Sequence, residues 1–192
     1  MNGMKSQDIV VLLKLASLQE QEGLVGSGEP HGGFAGEAPY SVRGLESLLG
    51  ISKTEINASI KRSLASGLAI KDRATGRANP NRHNLHNFIV HGMKFVFPAK
   101  AGGITRGLPT SFAAPMLKGL LVSGGEYIHI WPYAPGKDIG QSIEPLFKSV
   151  PEAVQKDERL YEYLALVDAI RLGNQREAGL AGQRLSEGLL RK

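Results

Sequence analysis

Cysteine is absent from this chain of 192 residues. Disulfides, thiolate zinc sites and a cysteine nucleophile are therefore excluded, and the composition suits a reducing compartment. Long apolar runs are lacking too, because none reaches the roughly 18 residues that span a bilayer. Asp8 interrupts the first apolar stretch, where a signal peptide has a charge-free core. We therefore expect a protein that is neither secreted nor embedded in a membrane, with the cytoplasm as its default location.

Catalytic signatures are missing as well. The chain contains no G-x-S-x-G, no H-E-x-x-H and no phosphate-binding loop with its lysine. His83, His86 and His91 include an H-x-x-H pair, but no Asp or Glu lies between them and no cysteine can complete a zinc site. We expect no catalytic residue, no metal and no cofactor, so an enzyme is the least favoured class.

Positive charge is concentrated in one window of the chain. Residues 41–100 carry 10 Lys and Arg against 3 Asp and Glu, whereas residues 1–40 carry 2 against 5. A local basic patch is the pattern expected where a protein meets phosphates. A solvated lysine-rich face would give the same count, so charge alone leaves both interpretations open.

Helical signals fill most of the first half. Residues 6–20 carry apolar side chains at helical spacing and predict a first helix. Residues 22–39 hold 6 glycines and 2 prolines and predict a flexible surface loop. A short helix follows, with Ser41 as its N-cap and Gly50, which tolerates a left-handed backbone, at its end.

The next segment, GISKTEINASIKRSLASGL, predicts another helix directly after that glycine. Ser52 and Glu55 form S-x-x-E, the capping box in which each side chain satisfies a backbone donor at the other position. Ile51 is placed to pack in the corner between the two helices, and Gly67 ends the second helix. Two short helices joined by a tight glycine-containing turn are the helix-turn-helix arrangement.

A helical projection gives this second helix two different faces. Ile56, Ile60 and Leu64 form an apolar stripe. The opposite face, with Asn57 on its flank, is small, polar and basic: Thr54, Ala58, Lys61, Arg62 and Ala65. Asn and Thr can hydrogen-bond base edges, Lys and Arg can reach bases or phosphates, and Ala allows close approach, so the face suits the major groove. The following LAIKD alternates like a strand, and RATGRANPNRH has the composition of an exposed wing.

These segments resemble the winged helix-turn-helix family of bacterial transcription regulators, the MarR-like branch in particular. The resemblance covers about residues 5–82 and rests on SVRGLESLLGISKTEINASIKRSLASGLAIKD. It implies base contacts from Lys53, Thr54, Asn57, Ala58 and Lys61. It implies contacts with the DNA backbone from Ser41, Ser52, Arg62, Arg73 and Arg77. Arg43 and Arg82 complete the candidate DNA-binding set as further arginines of the basic window.

The second half has a different pattern. NLHNFIVHG predicts a helix, MKFVFP a short strand, and KAGGITRGLPTSFAAPMLKGLL a loop punctuated by glycine and proline. EYIHIWP predicts an alternating strand with His129 and Trp131 on one face and Ile128 and Ile130 on the other. Residues 157–190 predict two helices that either close the core or build a dimer. The amino-acid sequence of this half is also similar to that of bacterial proteins described as MarR-like or helix-turn-helix regulators.

We predict an α+β chain, mostly helical, with a winged helix-turn-helix domain over residues 1–82. A small α/β region over residues 83–192 follows and ends in a helical hairpin. The favoured hypothesis is a sequence-specific DNA-binding regulator, a dimeric repressor whose helix over residues 53–66 lies in the major groove of double-stranded DNA. The alternative is an antitoxin-like or defence-operon module whose C-terminal half binds a protein partner while the winged helix autoregulates.

Overall fold

The computed structural model describes residues 3–25, 38–121 and 125–191. Over these residues the chain is α+β and mostly helical, which confirms the predicted class. It divides into two compact units, Met1–Asn81 and Arg82–Lys192, beside the predicted boundary. No helix in the described ranges is long and apolar enough to cross a membrane.

Unit 1 consists of three helices followed by a two-stranded antiparallel hairpin. Its elements are α1 (Ser6–Val25), α2 (Val42–Leu49), α3 (Lys53–Ala65), β1 (Ala69–Lys71) and β2 (Ala78–Pro80). α1 is longer than the sequence pattern predicted, and residues 26–37 of the predicted loop lie outside the described residues. α1 packs against α3 and β2 and is buried on every side between Gln7 and Leu18, so it forms the core of unit 1.

The turn between α2 and α3 follows from its sequence. Gly50 adopts the left-handed φ of 65° that ends α2, and Ile51 is completely buried behind it. The Ser52 hydroxyl accepts a hydrogen bond from the Glu55 backbone N–H at 3.4 Å. The Glu55 carboxylate accepts hydrogen bonds from Lys5, just before α1, and from Gln7 in its first turn. The backbone half of the predicted capping box is therefore present, while the carboxylate links α3 to α1.

Unit 2 combines helices with a three-stranded sheet. Its elements are α4 (Arg82–His91), α5 (Met93–Val96), β3 (Ala101–Pro109), β4 (His129–Pro132), β5 (Asp138–Ile143), α6 (Val150–Ala153), α7 (Glu158–Leu172) and α8 (Gln175–Leu189), with short 3-10 helices at Ser111–Ala113, Pro115–Leu117 and Val154–Lys156. β3 pairs antiparallel with both other strands, and β4 pairs in parallel with β5, so the sheet closes on itself.

Two predictions for this unit were wrong. The segment predicted as a strand at MKFVFP is helix α5, because the N–H groups of Phe95 and Val96 bond the Gly92 carbonyl at 3.0 Å and a short apolar run fits either structure. The segment predicted as a loop over residues 101–109 is strand β3. Its glycines belong to the sheet, since a Cβ at Gly107 would collide with the Trp131 backbone.

The strand predicted at EYIHIWP is present as β4, and both of its faces are buried. Ile130 and Trp131 are both buried, although they point to opposite faces of the strand. The interior of the closed sheet holds Ile130, which lies against the backbone of Gly107 and Gly140. The other face is covered by α7, whose Tyr161 ring lies 5.5 Å from the Trp131 ring. A closed sheet with a helix on its outer face buries both sets of side chains.

The C-terminal helical hairpin is present and closes the core of unit 2. Asn174 and Glu177 form a complete capping box at the start of α8. Every residue of α7 from Leu160 to Arg171 is buried. α8 packs along α7 with Ala181, Leu185 and Leu189. The sequence left two functions open for this hairpin, closing the core or building a dimer. Its buried apolar side chains serve the core.

A buried ion pair joins α1 to α3 in unit 1. Asp8 is fully buried, and its carboxylate accepts hydrogen bonds from Arg62 Nε at 2.8 Å and Nη2 at 2.6 Å. This bidentate geometry is the strongest form of Arg–carboxylate contact. On the same side of α3, Ser59 and Ser63 are buried with Ile56, whereas the predicted Ile60 and Leu64 are only half-buried. The ion pair and the small serine side chains together bring α3 close to α1 and determine the rotation of α3 about its own axis.

We predict that Arg62→Met destabilises the protein by about 3–5 kcal/mol, because it leaves the Asp8 carboxylate buried without its partner. Arg73→Met, which removes an exposed arginine, should change the free energy of unfolding by no more than about 0.5 kcal/mol. The double variant Asp8→Leu/Arg62→Met should recover most of the loss, since replacing both charges by apolar groups is often near neutral. Urea unfolding followed by circular dichroism measures all three, and equal effects of the two arginine variants would contradict the assignment.

Candidate nucleic-acid interface

Helix α3 presents one exposed face that is free of acidic side chains. The exposed positions are Lys53, Thr54, Asn57, Lys61 and Ala65, and Ala58 is half-buried between them. At about 100° per residue these positions fall within one side of the helix, opposite the stripe that packs on α1. Glu55, the helix's acidic residue, lies outside this sector and is bonded to Lys5 and Gln7. We call this sector the α3 face.

The α3 face carries side chains of the kinds that can hydrogen-bond base edges. The Asn57 amide can bond an adenine edge in bidentate fashion, Thr54 can donate or accept, and Lys61 can reach guanine or phosphate oxygens. Ala58 at the centre of the face and Ala65 at its end have small side chains, so the helix can approach a groove closely there. A helix of 13 residues, about 20 Å long, matches the length that a major groove accommodates.

The residues at the starts of α2 and α3 are positioned by their caps. Ser41 Oγ accepts a hydrogen bond from the Gly44 N–H at 2.9 Å, as Ser52 Oγ does from Glu55. Because each hydroxyl serves its helix as an acceptor, its own proton stays available as a donor, which is what a phosphate contact requires. Arg43 is exposed in the first turn of α2.

The hairpin that follows α3 has an ordered, basic tip. Asp72 accepts hydrogen bonds from the N–H groups of Ala74 and Thr75 and from the Thr75 hydroxyl, and these bonds lower the pKa of Asp72. The carboxylate is therefore occupied inside the turn. Arg73 is exposed at this tip, and the Arg77 guanidinium lies over the Tyr40 ring at 4.3 Å and 3.6 Å from Glu22. Arg77 thus anchors the hairpin to the rest of unit 1.

Basic residues outnumber acidic ones in this region. Residues 41–81 contain 7 Lys and Arg against 3 Asp and Glu. Each of the three acids has a local partner: Glu46 pairs with Lys53 at 3.8 Å, Glu55 is held by Lys5 and Gln7, and Asp72 caps the turn. Bonding to Lys5 and Gln7 lowers the pKa of Glu55. Three of the seven basic residues are themselves paired with acids, namely Lys53, Arg62 and Arg77. The positive potential is therefore carried mainly by the exposed Lys61, Lys71 and Arg73.

The structure places two of the predicted DNA-binding residues in contacts within the protein. Arg62, predicted to contact the DNA backbone, has its side chain 10% exposed and paired with Asp8. Arg82 begins α4 in unit 2, and its Nη1 donates to the Leu189 carbonyl at 3.1 Å. In both cases the partner of the guanidinium is distant in the sequence: Asp8 is 54 residues from Arg62, and Leu189 is 107 residues from Arg82. No local sequence pattern reveals such a contact.

Sequence reasoning missed the residues at and just before the start of α1 that orient the α3 face. Lys5, Gln7 and Asp8 all bond side chains of α3. A signal was present, since a carboxylate inside an otherwise apolar helix must find a cationic partner if it is buried. Among the residues that the structure describes, no group of three His, Asp or Glu side chains could hold a metal ion. His86 instead lies 3.2 Å from the Gly182 carbonyl within unit 2.

Comparisons with known proteins add no precedent for this interface. No family model, no curated protein and no solved structure matches the chain. The function of the α3 face has to be inferred from its own chemistry.

Proposed function

We propose that unit 1 is a winged helix-turn-helix domain and that the protein is a cytoplasmic, sequence-specific transcription regulator. In this proposal the α3 face enters the major groove, and the hairpin tip meets the neighbouring DNA backbone. The observation that carries it is the exposed α3 face. This face combines Asn57, Thr54 and Lys61 around the small side chain of Ala58 and contains no acidic residue. The serine caps and the exposed basic side chains of Lys61, Lys71 and Arg73 support it.

Selection of duplexes from a random pool, followed by fluorescence anisotropy, tests this function. The protein should enrich a defined sequence and bind it more tightly than a scrambled duplex. Its affinity should fall steeply as salt is raised, because phosphate contacts release counterions. An unenriched pool, or binding that ignores both sequence and salt, would contradict the proposal.

Lys61→Ala and Arg73→Ala should each weaken binding to the selected duplex. Loss of one phosphate contact lowers the slope of log affinity against log salt by about 1. Lys156→Ala removes the same kind of exposed charge from unit 2 and is the matched control. The prediction fails if the control lowers the slope as much as the two unit 1 variants.

Asn57→Ala should act on discrimination rather than on general affinity. A bidentate base contact contributes about 1–3 kcal/mol, which corresponds to a loss of about 5-fold to more than 100-fold in the ratio of selected to scrambled affinity. Asn87→Ala deletes the same side chain from an exposed position of α4 and should leave the ratio unchanged. Equal loss on both duplexes would assign Asn57 to positioning on the backbone.

We further propose that the protein is a homodimeric repressor, since a two-fold protein matches a two-fold operator. The apolar side chains of α7 and α8 are buried, so another surface of unit 2 has to supply the contact. Phe95 is 80% exposed and Val96 52% exposed on neighbouring positions of α5, which favours a protein contact there.

Light scattering coupled to size-exclusion chromatography tests this contact. The wild type should have the mass of a dimer, and Phe95→Ser should shift it toward the monomer of 20.6 kDa. Leu120→Ser, at another exposed apolar side chain of unit 2, should leave the mass unchanged. A wild type that is monomeric throughout would contradict the dimer and favour the alternative, an antitoxin-like module that uses this surface for a different protein.

A further inference from the structure

Unit 2 contains a cavity of about 430 Å³ at the end of strand β3. It is lined by residues 109–113 at and after the end of the strand, by Lys118, Gly119 and Leu121, by residues 125–129 before and at the start of β4, and by Asp138. We call it the β3 cavity. None of its residues belongs to the α3 face, so it is a separate candidate for a ligand site.

The backbone at the floor of the β3 cavity is strained. Ser111 has a φ of 57° and is the only non-glycine residue in the described ranges with a positive φ. L side chains rarely adopt this conformation, and where they do, the strained residue often serves a binding or catalytic site. Here it turns the chain from the extended Thr110 into the 3-10 helix Ser111–Ala113.

Donor groups at this turn are left without acceptors. The N–H groups of Ala113 and Ala114 bond the carbonyls of Thr110 and Ser111, each at 3.2 Å. The N–H groups of Ser111 and Phe112 donate to no acceptor among the described residues, and the Ser111 hydroxyl has no hydrogen-bond partner there either. Ser111 is only 6% exposed, so these groups are buried except toward the cavity they line.

Such groups need a partner. Buried backbone N–H groups are almost always satisfied, and successive N–H groups at a turn with a left-handed residue form a concavity that binds anions. The Ser111 hydroxyl adds a third donor beside them. Three donors suit a carboxylate oxygen better than a neutral amide, which would bring its own N–H groups to the site.

The buried carboxylate behind the cavity floor is paired with a cation. Asp168 lies behind the cavity floor, and its carboxylate accepts hydrogen bonds from Thr110 Oγ1 at 2.8 Å and Trp131 Nε1 at 2.6 Å. Arg171 Nη1 bonds its second oxygen at 2.8 Å, so this charge is paired. The His129 backbone carbonyl accepts the Thr110 N–H, and burial lowers the pKa of the half-buried imidazole. A neutral imidazole can both donate and accept.

The rest of the β3 cavity is amphipathic. Phe112, Leu121 and Ile128 supply apolar surface along its walls. Its exposed charged residues are Lys118, Glu126 and Asp138. Pockets of this size with apolar walls and a few convergent polar groups typically bind small molecules. The acids at the rim also provide a place for an ammonium group, as in an apolar α-amino acid.

We propose that the β3 cavity binds the carboxylate of a small, partly apolar molecule, with the N–H groups of Ser111 and Phe112 and the Ser111 hydroxyl as donors. The apolar part of the ligand lies against Phe112, Leu121 and Ile128. This inference is independent of DNA binding: it stands or falls on ligand binding by the full chain, whether or not the α3 face reads DNA.

Nuclear magnetic resonance of the full-length, ¹⁵N-labelled protein tests the proposal. The probes are 4-methylpentanoate, its neutral amide 4-methylpentanamide, and L-leucine, which adds an ammonium group to the same carbon skeleton. A carboxylate should move the amide proton signals of Ser111 and Phe112 downfield in a saturable way, and the neutral amide should not. A response to leucine alone supports the site and assigns a role to the rim acids. Unmoved signals with both carboxylates, or equal movement with the neutral amide, overturn the proposal.

Two substitutions at Ser111 separate binding from folding. Ser111→Ala removes the hydroxyl and keeps the strained backbone, and we expect carboxylate affinity to fall about 5- to 10-fold, the typical effect of losing one hydrogen bond to a charged group. Ser111→Gly removes the same hydroxyl while relieving the positive φ, so it folds at least as well as wild type and should show the same loss. Ser186→Ala on α8 is the control and should bind as wild type does. Unchanged affinity in Ser111→Gly would overturn the role of the hydroxyl as a donor.

Discussion

The bidentate bond between Asp8 and Arg62 is the contact on which the geometry of unit 1 depends. A buried carboxylate without its cation is costly, so the rotation of α3 that brings Arg62 to Asp8 is strongly preferred over others. Glu55, bonded to Lys5 and Gln7, repeats the link one to two turns earlier on α3. With these two residues turned toward α1, Asn57 and Lys61 point to solvent on the other side. The direction of the polar face is thus determined by contacts on the opposite side of α3.

Unit 2 relies on a comparable buried carboxylate. Asp168 of α7 accepts hydrogen bonds from Thr110 at the end of β3 and from Trp131 of β4, while Arg171 neutralises it. Complete burial raises the pKa of Asp168, and the donors around it oppose that shift. By fixing Thr110, this network also holds the next residue, Ser111, in its strained turn. The floor of the β3 cavity is therefore a consequence of how the closed sheet attaches to α7.

Local signals predicted the elements of unit 1 well, and long-range contacts explain what they missed. Ser41 and Gly50 carried enough information to place the start and end of α2, because a cap and a left-handed glycine act within a few residues. Arg62 was assigned to DNA because it is basic and exposed on a helical projection, but its partner is 54 residues away. In unit 2, the glycines of β3 resembled loop residues, since only the packed sheet shows that Gly107 admits a neighbouring backbone.

Site-directed cleavage tests most directly whether the α3 face lies in a DNA groove. The chain has no cysteine, so Ala65→Cys introduces a single attachment point at the exposed end of that face for an iron–EDTA reagent. Our account predicts that the conjugate bound to its selected duplex cuts both strands at one localised position in each half of the recognised sequence. Wild type treated with the same reagent carries no label and should leave the duplex intact. Cleavage that is absent from the selected sequence, or spread evenly along the duplex, would show that α3 does not face DNA.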